Sequence, residues 1–158
     1  MKCDKHTMLL YAVTDRAWVG KQTLYQQVES ALKGGATCVQ PREKQLGDDD
    51  FLQEAIQIHT VQEALDAVAH GADYLGVGAV FATHTKTDVS EMPRQTLLDI
   101  CNAVDVPVVA IGGIHKENIL QLKGTGVDGV ALVSAIFAAK DIEAECRELR
   151  ALSEQIVK

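Results

Sequence analysis

The chain has 158 residues, of which 47% are apolar and 23% charged, with a formal net charge of −7. That is a globular composition, long enough to bury a core as a single domain over 1–158. Its acidic balance, with one tryptophan and few other aromatic residues, argues against nonspecific binding to nucleic acid or to anionic membranes while leaving room for a local cationic pocket, and no base-stacking platform is evident.

The segment Lys2 to His6 is polar and is followed by no adequate apolar run, so neither a signal peptide nor a membrane span is expected. Cys3, Cys38, Cys101 and Cys146 are widely separated. Reduced thiols in a cytoplasm are therefore expected, rather than a disulfide framework or a metal cluster. Leu9 to Val13 reads as a first strand, followed by a helix from Gln22 to Lys33 that Gly34-Gly35 ends. Thr37 to Arg42 is the second strand. The triplet Gly35-Ala36-Thr37 before it returns as Gly71-Ala72-Asp73 and as Gly126-Val127-Asp128, each between an amphipathic segment and an apolar strand. That punctuation signals βα units and a parallel sheet or barrel.

Asp48 to His70 contains neither glycine nor proline, and Phe51, Ala55, Ile58, Val61, Leu65 and Val68 follow one helical stripe. One unusually long helix is expected there, ~34 Å if unbroken. Tyr74 to Val80 is the next strand, and a helix runs from about Pro93 to Val104. Val108 to Ile111 and Val130 to Val133 are apolar runs without alternation, as in strands buried on both faces. A helix over Glu117 to Leu122 separates them, and an amphipathic helix over Ile142 to Val157 closes the chain. The total is five parallel strands, each followed by a helix.

In parallel α/β folds ligands bind at the carboxyl ends of the strands. Gly112-Gly113 and Ser134-Ala135 lie at two of these ends. They read either as an anion cradle or as tight strand-to-helix turns that bind nothing. Alternation along the second strand puts Gln40, Arg42 and Lys44 on one face if the backbone stays extended. That set suits a diphosphate beside a heterocycle edge, or is a solvated turn. Thr83, Thr85 and Lys86 offer hydroxyls and a charge to another anion, or form a polar loop.

Six blocks carry a resemblance, in order: Leu10-Tyr11-Ala12-Val13-Thr14-Asp15-Arg16; Val39-Gln40-Pro41-Arg42-Glu43-Lys44; His59-Thr60-Val61-Gln62-Glu63-Ala64; Gly71 to Gly78 with Phe81 to Lys86; Val108 to Ile114; and Val133-Ser134-Ala135-Ile136-Phe137. Together they resemble the thiamine-phosphate synthases and the related thiazole tautomerases. The resemblance implies a TIM barrel that couples a hydroxymethylpyrimidine diphosphate to a thiazole phosphate, releasing pyrophosphate with Mg²⁺. It implies that Gln40 meets the pyrimidine and that Arg42, Lys44 and Lys86 act on the diphosphate. It places Thr83, Thr85, Gly112, Gly113, Val133 and Ser134 around the thiazole phosphate. Histidine at the position of His59 is an acid/base in the tautomerase branch; the alternative here is a surface or interface histidine within a helix.

Between Ile56 and His59 the family carries about fifty more residues, set against a usual barrel of ~250 or fewer. That block holds three of its strands and the carboxylates that bind Mg²⁺. Asp15, Asp48 and Asp88 remain, with no spacing that recommends them as substitutes. The expectation is a truncated barrel with impaired synthase activity and no metal ligands of its own. The alternatives are a noncatalytic phosphate-binding module and a tautomerase-like enzyme. Five strands are too few for the usual eight-stranded closure, so the sheet is expected to stay open or to be completed in a homodimer or higher oligomer, with domain swapping as one route. Pro41 then suits the second strand as an edge.

Overall fold

A computed structural model describes residues 3–15, 18, 20, 22–41, 58–82 and 91–157. Its five strands are β1 (Leu10–Val13), β2 (Cys38–Gln40), β3 (Leu75–Gly78), β4 (Val108–Ile111) and β5 (Gly129–Leu132). All pair in parallel, in the order β2-β1-β5-β4-β3. In a closed βα barrel each strand lies beside its neighbours in sequence and the first meets the last. Here β1 meets β5, and every consecutive pair is adjacent except β2 with β3, so among the described residues the sheet is a barrel sector opened between β2 and β3. As expected from the missing block, β2 is an edge strand among the described residues, and the exposed Pro41 lies just beyond it.

The strands lack hydrophobic alternation because both faces are covered. Leu10, Ala12, Leu75, Val77, Val108, Ala110, Val130 and Leu132 pack outward into the large core. There they meet the helices α1 (Leu24–Gly34), α2 (Val61–Ala69), α3 (Arg94–Ala103), α4 (Ser134–Phe137) and α5 (Ile142–Ile156). Tyr11, Val13, Val109 and Ala131 turn inward with Met8 into a second cluster, joined by Cys3, Cys38, Tyr74, Ile111 and Val133. Full burial of a large side chain such as Leu10 or Leu149 contributes about 1.5–3 kcal/mol.

The repeated glycine triplets do the same job in each unit. Gly35, Gly71 and Gly126 all have positive φ, between 91° and 107°, which turns the chain from helix to strand. The third residue of two triplets then ties the new strand to an older one. The Thr37 hydroxyl accepts from the Leu10 N–H at 2.9 Å, and the Asp128 carboxylate accepts from the Val108 N–H at 2.9 Å.

The structure corrects three expectations. The single helix over Asp48 to His70 does not exist as such. Ile58 is extended and bridges Val77, donating to Gly76 O at 2.9 Å and accepting from Gly78 N at 3.2 Å, so it adds one residue to the outer edge of β3. Helix α2 begins only at Val61, because Thr60 caps it by accepting from Glu63 N at 3.1 Å and Glu63 accepts from His59 N at 2.7 Å. The stripe's part over 48–57 lies outside the described residues. Second, the expected helix over Glu117 to Leu122 is a 3-10 segment, Ile119–Leu122. Third, β4 is therefore not followed by an α-helix.

Candidate functional site

The carboxyl ends of the strands form one rim. Going across the sheet it carries Gln40 at the end of β2, Thr14-Asp15 after β1, Val133-Ser134 after β5, Gly112-Gly113 after β4, Ala79 to Ala82 after β3, and His59 after the Ile58 bridge. Strands sit about 4.8 Å apart, which separates Gln40 from the β5 and β4 ends by roughly 10 and 14 Å. Gln40 is half-buried, and its carbonyl accepts from Thr14 N at 3.0 Å, extending the β1–β2 ladder to the rim. Arg42, Lys44, Lys86, Thr83, Thr85, Asp48 and Asp88 lie outside the described residues.

At the β4 end both glycines have left-handed backbones, with φ of 100° at Gly112 and 65° at Gly113. A Cβ on Gly112 would stand 2.6 Å from Ala79 Cβ, and one on Gly113 would stand 2.5 Å from Ala82 O. Phe81 N donates to Gly112 O at 3.2 Å. The glycines thus let the chain after β3 lie directly on the turn after β4. Asn118 closes the turn from the other side. Its amide donates to Gly113 O at 2.8 Å, and its oxygen accepts from His115 N at 2.8 Å. Sequence reading missed Asn118; the only signal was the general tendency of asparagine side chains to bond nearby backbone, which does not pick out this residue.

At the β5 end Val133 is half-buried and immediately precedes the four-residue α4, while Ser134 is exposed. β4 and β5 are paired neighbours, so the Gly112-Gly113 and Val133-Ser134 ends lie side by side. His59 is at the rim as well, not within a helix: its ring is half-exposed and its Nδ1 stands 3.6 Å from the Glu63 carboxylate. The Thr60-x-x-Glu63 capping pattern was the available signal for that helix start.

Below the rim, the Tyr11 and Tyr74 hydroxyls are 3.1 Å apart on the inward face. Burial first, then the Tyr74 bond, raises the Tyr11 phenol above its ordinary range. Burial also raises the Cys38 thiol, which suits a packed side chain and not a nucleophile. Among the described residues no three His, Cys, Asp or Glu side chains are grouped to hold a metal ion, so this part of the chain gives Mg²⁺ no ligand set. Among the same residues no helix is long and apolar enough to cross a membrane.

The family model described as thiamine monophosphate synthase matches residues 10–61 and 55–136. The thiamine-phosphate synthase of Ruminiclostridium cellulolyticum is 36% identical over 194 residues, covering 89% of this chain and 92% of that protein. That of Pyrococcus horikoshii is 33% identical over 206 residues, covering 97% and 98%. Among solved structures, the thiamine phosphate pyrophosphorylase of Pyrococcus furiosus superposes with a TM-score of 0.82 at 28% identity, covering 98% of this chain and 99% of that one. An alignment 194 residues long cannot be filled by 89% of 158, so roughly fifty positions of the first relative lack a counterpart here. The family match is in two segments that overlap at residues 55–61, between β2 and β3, which is where the sheet is open.

Proposed function

The chain belongs to the thiamine monophosphate synthase family, and from that premise we propose that it binds the phosphorylated substrates of the synthase reaction but couples them weakly. In that reaction the C–O bond from the pyrimidine methylene to the diphosphate breaks, a C–N bond to the thiazole forms, and pyrophosphate leaves. The thiazole phosphate takes the adjoining β4 and β5 ends, with Gly112, Gly113, Val133 and Ser134, together with Thr83 and Thr85. Gln40 takes the pyrimidine edge on β2. Arg42, Lys44 and Lys86 stabilise the departing diphosphate by charge. The roughly 10–14 Å between these ends suits two substrates held side by side.

One observation carries the reading: the blocks at the β4 and β5 ends lie within the family match, while about fifty positions of the first relative, between β2 and β3, have no counterpart. The family's Mg²⁺ carboxylates fall in that missing block, so the single domain over 1–158 keeps a phosphate half without a metal half. A homodimer or higher oligomer, formed in a cytoplasmic setting, completes the open sheet in this account; light scattering that gives a monomer at micromolar concentration would refute that part. The test of function is a direct assay for thiamine phosphate from both substrates. Binding of thiazole phosphate with turnover at least a hundredfold below a full-length relative supports the proposal, and comparable turnover overturns it.

A second reading has a specific observation behind it. His59 stands at the rim beside Glu63, where an imidazole can exchange protons with a bound thiazole. A tautomerase assay on wild type and His59→Ala decides it: activity lost in the variant supports the reading, and no activity in the wild type ends it.

A further inference from the structure

The turn after β4 carries a set of hydrogen bonds larger than a strand-to-helix connection needs. Asn118 uses its whole amide: one N–H on Gly113 O at 2.8 Å, the other 3.2 Å from His115 Nε2, and the oxygen accepting from His115 N at 2.8 Å. The His115 Nδ1 lies 2.8 Å from the Glu117 carboxylate, which holds the ring with Nδ1 protonated and Nε2 free to accept from Asn118. That contact, after a local backbone bond, keeps the Glu117 carboxyl below its ordinary range.

We propose that Asn118 is a positioning residue for anion binding: by holding the Gly113 carbonyl it turns the following peptide so that its N–H, and not a carbonyl oxygen, faces a phosphate at the rim. The inference rests on the reading of Gly113 and Ser134 as the phosphate corner. A trans peptide sets its carbonyl and its N–H on opposite sides. With the Gly113 carbonyl drawn to Asn118, the Ile114 N–H points the other way. Gly112 and Gly113 have φ of 100° and 65°, conformations open to glycine in which this peptide could otherwise rotate. An exposed carbonyl at the rim would repel an anion, whereas a fixed N–H attracts one. Asn118 thus fixes an orientation that the glycine φ values alone leave open.

The test titrates the full chain with inorganic phosphate, following affinity by calorimetry and the Gly113 and Ile114 amides by NMR. Asn118→Ala should weaken phosphate about tenfold and abolish the phosphate-induced shift at Ile114, while amides elsewhere keep their positions. Asn118→Asp keeps the acceptor for His115 N and loses the donor to Gly113, so it should bind phosphate more weakly still without unfolding. Unchanged affinity in either folded variant overturns the inference. Ser134→Ala separates the two levels. If it weakens phosphate while Asn118→Ala does not, the positioning role alone is wrong; if neither changes affinity, the phosphate corner itself is wrong.

Discussion

Gly113→Ala tests how the two loops after β3 and β4 are seated. The new Cβ would lie 2.5 Å from Ala82 O and 2.8 Å from Phe81 O, both backbone atoms, at a φ of 65°. A left-handed alanine costs about 1–2 kcal/mol, and forcing a methyl into a packed contact adds about 1–3 kcal/mol. The expected loss is therefore about 2–5 kcal/mol. Gly71→Ala is the matched control, since Gly71 also has positive φ but nothing within 4 Å of its Cβ. It should lose only the backbone share, about 1–2 kcal/mol. Urea unfolding of both variants against wild type measures the difference. Equal losses would refute the close seating of Ala79 to Ala82 on the glycine turn.

Leu149 is fully buried in α5 against the outer core, so Leu149→Ala should cost about 2–5 kcal/mol by urea unfolding. Thr60→Ala removes the cap of α2 and should cost about 1 kcal/mol, together with faster hydrogen exchange at Glu63 N. The Cys146 thiol, pushed up to about 12 by burial, should stay unmodified by iodoacetamide at pH 8 in the folded protein. The unfolded thiol ionises near 9.0 and the folded one near 12, so the unfolded state binds fewer protons in that window. Stability should fall as pH rises from about 9 to 12, and Cys146→Ala should flatten that slope in urea midpoints taken across the range.

Much of the fold was legible because the signals were local. The Gly-x-Thr and Gly-x-Asp triplets marked the turns into β2, β3 and β5, and their glycines all adopt positive φ. The missing block made the second strand an edge, and Pro41 is consistent with that place in the strand order. The long helix was misread because an apolar stripe of period 3.6 was allowed to override a capping pattern. Ile58 fits that stripe, yet its backbone pairs with β3, a contact about twenty residues away that helical periodicity does not encode. The same error put His59 inside a helix when it stands on the rim.

The site was legible in part, and for a related reason. Gly112-Gly113 and Val133-Ser134 were placed at strand ends by their apolar runs, and β4 and β5 are neighbours. What the sequence could not separate was the use of the glycines for packing from their use for binding. Contacts with Ala79 and Ala82 account for the glycines with no ligand at all. Asn118 and the Tyr11–Tyr74 hydroxyl pair escaped notice because each depends on which side chain meets which, not on spacing.

The central claim is a phosphate half retained without the metal half. Calorimetric titration of the purified chain with inorganic pyrophosphate, with and without Mg²⁺, tests it most directly. The account predicts saturable binding whose affinity changes less than about twofold when Mg²⁺ is added, under ~0.4 kcal/mol. Binding that appears only with Mg²⁺, or no binding at all, would contradict it.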